Sequence, residues 1–274
     1  RVSHDVDEPS IYGFKSPFKL LRALGNDIIR RKDFSAALHA PVIRMNTKAR
    51  LHPKDPANTF EWIMDTSESY GLKSSFYFIS GKTNPSMDAD YDLDHPAIRN
   101  LMRCISNRGH TIGLHPSYDT YKSPHLITLE ANRLKRICTV ENIQQSAWEA
   151  RMHYLRWENP ITLRGLEKAG LDYDNTLGYA DHPGFRCGTC HEYPSFDLLK
   201  RKQLQIRIRP LIIMDCTVMG RRYMNLGASN AAFEKMQDLK DACRKVNGCF
   251  SLLWHNTELF LPEQRKIYQS LLLI

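Results

Sequence analysis

The sequence predicts an α/β fold in which a parallel sheet or barrel shares one core. Short β-rich runs alternate with helical stretches along most of the 274 residues, and repeated β-then-α units are typical of parallel sheets. Glycines after helical stretches, as at Gly71, Gly109 and Gly170, mark where these units change direction. The chain has no internal repeat, so a single domain over residues 1–274 is the simplest organisation.

The expected elements alternate in a regular order. Strands are predicted over residues 2–5, 74–79, 111–115, 147–153, 171–174, 204–208, 211–215 and 249–255. Helices are predicted over residues 17–31, 56–70, 96–108, 126–142, 161–169, 231–246 and 262–272. The segments 32–53 and 81–94 are polar or weakly periodic, and we expect both to be loops.

The chain is basic, with a formal net charge of +8. Its Lys and Arg residues are scattered apart from short clusters at 30–32, 200–202 and 221–222, which favours solvated faces over a binding surface. The alternative is attraction to acidic glycan, phospholipid headgroups or nucleic acid. Nucleic-acid partners are not expected, since no binding motif accompanies the charge. The sequence contains no run of about 18 apolar residues, so no transmembrane segment is predicted.

Seven scattered cysteines are an odd number, which favours free thiols in a reducing compartment. A cytoplasmic location is therefore expected. The periplasm is the alternative, because the chain begins without Met and we expect upstream residues to have been trimmed. Cys187 and Cys190 form a single CxxC, for which we favour a structural role over metal or redox chemistry, since a second pair is absent.

Chemically active side chains follow several predicted strands at the point where each strand ends. Asp5 and Asp7 end the first strand, His115 ends the third, Arg151 lies in the fourth, and His255 ends the last. Parallel strands present their carboxyl ends at one edge of the sheet, where ligands bind in such folds. Convergence of acids, histidines and one arginine there is difficult to explain by core packing alone.

Two of these strand ends predict a metal site. Two carboxylates side by side are costly to bury unless a cation or a shared proton offsets the repulsion. His115 and Asp119 are four residues apart, so a helical turn would bring them to one side. Together with Asp7 they would supply two carboxylates and one imidazole, a set that suits a divalent cation and leaves positions for water.

The same residues carry a family resemblance that extends from Ser3 to Asn256. The chain resembles the NodB-homology polysaccharide deacetylases, carbohydrate esterase family 4. Four of its segments resemble the family's motifs in the correct order: the spaced pair Asp5-Val6-Asp7, the segment Gly109–Asp119, Arg151-Met152-His153-Tyr154, and Leu253-Trp254-His255. A fifth segment, Tyr173–Pro183, is similar to one found in the branch that includes peptidoglycan-type deacetylases and allantoinase-like amidohydrolases.

Two positions depart from the family pattern. The second motif has His-x-x-x-His where this chain has Asp119 as the last residue, and the third has Pro where this chain has His153. The change at Asp119 makes the identity of the metal uncertain. It also raises the alternative that His110 completes the site, which we disfavour because His110 begins its strand.

The resemblance implies a distorted (β/α)7 barrel and a divalent metal, with zinc favoured over manganese, iron, cobalt or nickel. It implies that Asp5 is the general base, that Asp7, His115 and the position of Asp119 bind the metal, and that His255 is the general acid. Arg151 is expected to hold Asp5 ionised. Asp215 is a candidate to orient His255, although it could equally cap a strand.

The function that follows is removal of N-acetyl groups from an N-acetylated sugar or glycan. One alternative keeps the chemistry but takes a small non-sugar amide, which a deep closed pocket would favour. Another is a catalytically silent glycan-binding protein, which the departure at Asp119 would favour. The sequence leaves the sugar and the oligomeric state open.

Overall fold

The computed structural model describes residues 1–26, 28–29 and 34–273. Nine strands in these ranges form one sheet: β1 Val2–Val6, β2 Ser74–Ile79, β3 Thr111–His115, β4 Glu149–Ala150, β5 Tyr173–Asp174, β6 Tyr193–Asp197, β7 Lys202–Ile208, β8 Ile213–Met214 and β9 Leu252–Leu253. Their order across the sheet is β6-β7-β5-β4-β3-β2-β1-β9-β8. All neighbours are parallel except β6 and β7, which confirms the predicted α/β class.

Helices cover the sheet. In the described ranges they are α1 Pro17–Asn26, α2 Phe34–Asn46, α3 Phe60–Ser69, α4 Pro96–Asn107, α5 Pro124–Val140, α6 Ile161–Lys168, α7 Asp215–Met219, α8 Asn230–Lys245 and α9 Pro262–Leu272. None of them is long and apolar enough to cross a membrane. Because β1 to β3 are covered on both faces, their residues are almost entirely buried.

The described residues differ from the predicted elements most clearly at two segments. The expected loop 32–53 contains α2, whose apolar residues lie on both its buried and its exposed sides and so give little helical periodicity. The antiparallel edge strand β6 was missed because it carries Pro194 and stands outside the β-then-α alternation. Residues 27, 30 and 31 of the predicted helix 17–31, and the basic cluster 30–32, lie outside the described residues.

Gly113 allows β2 and β3 to pack closely beneath the carboxyl edge of the sheet. It lies opposite Tyr77 in the register of β2 and β3, and an added Cβ would lie 2.5 Å from the Tyr77 ring atom Cε1. Tyr77 in turn donates a hydrogen bond to Glu149 (2.7 Å), and its ring lies 4.6 Å from the Arg151 guanidinium. The small residue in β3 therefore leaves room for an aromatic ring that supports a residue at the strand ends.

We expect Gly113→Ala to lower the free energy of unfolding by about 1–3 kcal/mol, because the fully buried Tyr77 ring cannot move aside without strain. Gly25→Ala in α1 is the matched control, since an added Cβ there meets nothing within 4 Å. It should leave stability unchanged or slightly increased. Urea denaturation of both variants measures the difference, and equal stabilities would show that the β2–β3 packing adjusts freely.

Candidate active site

Side chains from five strands meet at the carboxyl edge of the sheet. Asp5 lies one residue before the end of β1 and Asp7 follows the strand. His115 ends β3, and Arg151 follows β4. On the other side of β1, His255 follows β9 and Asp215 follows β8. The parallel register of β1 with β2, β3 and β9 brings these ends to one level, as the sequence pattern predicted.

Three side chains converge on one point: Asp7, His115 and His153. Asp7 Oδ1 lies 3.3 Å from His115 Nε2 and 3.8 Å from His153 Nε2. Donor atoms that share one tetrahedral ion at about 2.1 Å are separated by roughly 3.4 Å. The spacing of this carboxylate and these two imidazoles therefore fits a small divalent cation.

The far sides of both imidazoles are held in place. His115 Nδ1 is hydrogen bonded to the carbonyl oxygen of Arg151, and His153 Nδ1 lies 3.0 Å from Asp88 Oδ1. Asp88 also accepts backbone N–H groups from Thr83 and Tyr118, at 2.9 and 2.7 Å. A hydrogen on each Nδ1 leaves the lone pair of each Nε2 directed at Asp7, the arrangement typical of metal-binding histidines.

One oxygen of the Asp7 carboxylate lacks the hydrogen bond that a buried polar atom normally makes. Asp7 Oδ1 is buried yet makes no hydrogen bond among the described residues. Unsatisfied buried oxygens are rare and need an explanation. A buried carboxylate oxygen with no hydrogen-bond donor, lying beside the Nε2 atoms of two imidazoles, fits a cation.

Asp5 points into the same space but is held differently. Its Oδ1 accepts a hydrogen bond from Arg151 Nη1 (2.8 Å), while its Oδ2 lies 3.6 Å from His115 Nε2. Arg151 is fully buried and also donates to Ser3 Oγ (2.8 Å) and to the carbonyl oxygen of Asn175 (3.1 Å). The guanidinium therefore fixes one oxygen of Asp5 and leaves the other free.

His255 faces Asp7 from the opposite side of β1. Its Nε2 lies 3.7 Å from Asp7 Oδ2, and its Nδ1 lies 2.7 Å from Asp215 Oδ1. Asp215 Oδ2 also accepts the backbone N–H of His255 (2.7 Å), so each of the two carboxylate oxygens contacts His255. Burial opposes the charged imidazole, but Asp215 and the acids of β1 outweigh it and raise the pKa of His255 to about 10.

The structure does not bring Asp119 to this group. Its side chain is about half exposed, and its Oδ1 accepts a hydrogen bond from Arg156 (2.8 Å). Residues 116–119 turn away from the sheet instead of continuing as a helix, so the spacing of four residues does not place Asp119 beside His115. His153, and not Asp119, lies beside Asp7 and His115.

His110 and the CxxC cysteines also lie apart from the converging side chains. His110 sits at the amino end of β3, where its Nδ1 accepts the backbone N–H of Ser74 (2.9 Å) and its Nε2 contacts Glu68. The Cys187 thiol lies 3.7 Å from the carbonyl oxygen of Leu177, and Cys190 is buried. Neither cysteine belongs to a metal-binding group among the described residues.

The sequence contained a signal for His153. It follows Arg151 by two residues and stands where the resembled motif has Pro, while the resembled histidine position holds Asp119. The chain therefore lacks a histidine at one position of the resembled motifs and has an additional histidine at a neighbouring strand end. The second change compensates for the missing imidazole of the first. A short 3₁₀ turn over His153–Leu155 directs the new imidazole towards Asp7.

Two cavities flank the converging side chains. One of about 190 Å³ is lined by Asp7, His153 and Tyr154 together with residues of the 86–91 segment. The other, about 300 Å³, shares these three residues and also reaches Asp5 and His255. Both cavities therefore border Asp7.

Comparison with solved structures identifies the fold. A protein from Mycobacterium smegmatis described as a putative polysaccharide deacetylase matches 98% of this chain and 81% of its own, with TM-score 0.55 and 16% identity. A probable polysaccharide deacetylase from Pseudomonas aeruginosa PAO1 matches 99% and 83%, with TM-score 0.54 and 12% identity. Puue allantoinase matches 98% and 82%, with TM-score 0.53 and 12% identity.

This chain has the NodB-type α/β fold. The predicted distorted barrel is confirmed at the level of the fold, with a nine-stranded sheet that does not close between β6 and β8. No protein-family model matches the sequence, and no curated protein matches it. At such low identity the likeness describes the backbone, and the chemistry must be argued from the side chains.

Glu130 of α5 fixes the loops that follow β2 and β3. Its Oε2 accepts the backbone N–H of Ser117 (2.9 Å), and its Oε1 is hydrogen bonded to the Ser117 hydroxyl. Its carbonyl oxygen accepts the hydroxyl of Ser80 (2.8 Å). Burial is the main cause that raises the pKa of Glu130 to about 7. A carboxyl that remains partly protonated therefore supports the segment after His115.

We expect Glu130 to make stability depend on pH. Its folded-state pKa lies above the ordinary 4.5, so its contribution is complete below pH 4.5 and is lost as the pH rises through about 7. Glu130→Gln mimics the protonated form and should remove this loss, which amounts to about 3 kcal/mol. Urea denaturation from pH 5 to pH 8 measures it, with the exposed Glu234→Gln as control. Parallel pH profiles for wild type and Glu130→Gln would contradict the assignment.

Proposed function

We propose that this chain is a metal-dependent hydrolase that removes N-acetyl groups from an N-acetylated sugar or glycan, as a member of the polysaccharide deacetylase family. One observation carries the proposal: the three-donor set Asp7, His115 and His153 lies between an Asp–Arg pair and an Asp–His pair. The fold shared with proteins described as polysaccharide deacetylases supports it. Metal binding, a base and an acid thus occupy one sheet edge.

Asp7, His115 and His153 would hold the metal, and zinc suits one carboxylate and two imidazoles. When bound, a divalent ion polarises a carbonyl oxygen and makes water more acidic. This donor set has one more histidine and one fewer carboxylate than the set predicted with Asp119. It is therefore less anionic and less suited to hard cations such as manganese.

Asp5 is positioned to act as the general base. One of its oxygens is fixed by Arg151 and the other lies 3.6 Å from His115 Nε2, within the space that the donor atoms surround. A proton taken from the attacking water by Asp5 Oδ2 would remain next to the reacting carbon. Arg151 keeps the carboxylate oriented through its hydrogen bond to Oδ1.

His255 is positioned to act as the general acid. A pKa of about 10 keeps its imidazole protonated at neutral pH, so it can donate to the amine that leaves. Asp215 fixes the ring through Nδ1 and leaves Nε2 facing the site. Base and acid then lie on opposite sides of Asp7, as attack and departure on one carbonyl carbon require.

The cavities favour a glycan over a small closed-pocket substrate. Two cavities of about 190 and 300 Å³ both border Tyr154, which is about half exposed. Sugar rings pack against such aromatic faces. An N-acylated residue with neighbours on both sides would fit better than an isolated small amide, which remains the second candidate substrate.

We expect His153→Ala to weaken zinc binding by at least about 100-fold, because it removes a direct donor, whereas changes in outer partners alone cost about 10- to 100-fold. Asp119→Ala removes only an exposed ion pair and should leave affinity within about twofold. Equilibrium dialysis with metal analysis compares the two variants. The reverse result would restore Asp119 as the third ligand.

We expect Asp5→Asn to retain zinc but to lower kcat by about 100- to 10,000-fold, the range for loss of a general base. Acetate release from N-acetylated monosaccharides and oligosaccharides measures turnover, and a small cyclic amide tests the second substrate class. Circular dichroism and zinc content of the same sample establish that the variant is folded. Near-normal turnover by folded Asp5→Asn would exclude Asp5 as the base.

A further inference from the structure

Helices α1 and α2 carry apolar side chains on two opposite sides. Their inner sides pack on a small core separate from the sheet, formed by Ile11, Tyr12, Ala40, Ile43 and Ala57. Their outer sides expose Phe18, Leu21, Phe34, Leu38, Val42 and Met45. A helix that is apolar on both sides is normally covered on both. We call these six exposed residues the outer α1–α2 face.

The side chains of this face are exposed and regularly spaced. Leu38 is 78% exposed and Met45 is 70% exposed, and both share one side of α2 with Val42. Phe18 and Leu21 are three residues apart in α1 and are 77% and 68% exposed. Clustered exposed apolar residues mark surfaces that bind a partner or a membrane.

Nearly all of the net charge of the chain lies in the same segment. Residues 15–50 contain nine of the 38 Lys and Arg but only two of the 30 Asp and Glu, so this segment accounts for +7 of the total +8. Arg22 and Lys48 are exposed, and neither has a carboxylate partner among the described residues. Most of the net charge is therefore concentrated along the sequence in the segment that contains α1 and α2.

We propose that the outer α1–α2 face binds the surface of an anionic lipid bilayer. Basic helices with an exposed apolar side insert that side between headgroups, while their cations attract anionic lipid. A second copy of the chain fits poorly, because pairing this face would place two segments of charge +7 together. Headgroup phosphates match the exposed cations Arg22 and Lys48, and acyl chains match the six apolar side chains.

The face lies next to the candidate active site. Phe14 and Lys19 line the cavity of about 190 Å³ that also contains Asp7 and His153. Lys19 Nζ donates a hydrogen bond to Oδ1 of Asp90 (2.5 Å), which lines the same cavity. Membrane binding through α1 would hold this entrance beside the bilayer. The binding proposal itself does not depend on the proposed hydrolysis.

Co-sedimentation with vesicles tests the proposal without any substrate. We expect wild type to bind phosphatidylcholine vesicles that contain phosphatidylglycerol at least tenfold more strongly than phosphatidylcholine alone, and to be released by salt. Leu38→Glu should reduce binding at least tenfold. Leu199→Glu is the matched control, because Leu199 is 75% exposed but lies in the β6–β7 turn, and it should bind like wild type.

A second pair of variants tests the charge. Lys48→Glu should weaken binding at least about fivefold, whereas Lys245→Glu, equally exposed at the end of α8, should not. Failure of wild type to bind anionic vesicles, or equal losses in Leu38→Glu and Leu199→Glu, would overturn the proposal. So would a stable dimer in light scattering that Leu38→Glu dissociates, since the face would then belong to a second copy.

Discussion

The placement of negative charge at the end of β1 is the constraint on which the rest of the site depends. Asp5 is almost fully buried, and Asp7 Oδ1 is buried beside it. Two carboxylates so close must each be matched by positive charge. Arg151 matches Asp5 directly, and removal of either partner of such a buried pair costs about 3–5 kcal/mol because the other charge remains. Among the described residues, Asp7 Oδ2 faces His255, whereas its Oδ1 lies between His115 and His153, where a cation would match it.

The order of strands in the sheet places the positively charged partner of Asp5. Arg151 reaches β1 across β2 and β3, and its carbonyl oxygen holds His115 while its guanidinium holds Asp5. The backbone and side chain of one residue therefore position both the proposed base and a proposed ligand. Tyr77 and Gly113 support that residue from within the sheet. Packing in the core and chemistry at the edge are thus coupled through Arg151.

Strand ends were easier to predict from the sequence than the turns beyond them. The strand 111–115 was predicted with its observed bounds, so the placement of His115 followed from the parallel register. Asp119 and His153 lie after strands, where loop contacts with Arg156 and Asp88 decide the direction of each side chain. No periodicity encodes such contacts. Helix α2 was missed for a related reason, because its apolar residues serve two surfaces and blur the pattern that marks an amphipathic helix.

The exchange of Asp119 for His153 as third donor changes more than the position of a ligand. Two carboxylates and one neutral imidazole would neutralise the charge of a divalent ion. Asp7 with two neutral imidazoles would instead leave a net charge of about +1 on the same ion and its ligands. That remaining charge favours the developing oxyanion of an acyl-transfer reaction. It would also lie close to Asp5, the proposed base, whose Oδ2 is 3.6 Å from His115 Nε2. As a proposed ligand, His153 would therefore suit the site to hydrolysis, whereas Asp119 forms an ion pair with Arg156 at the surface.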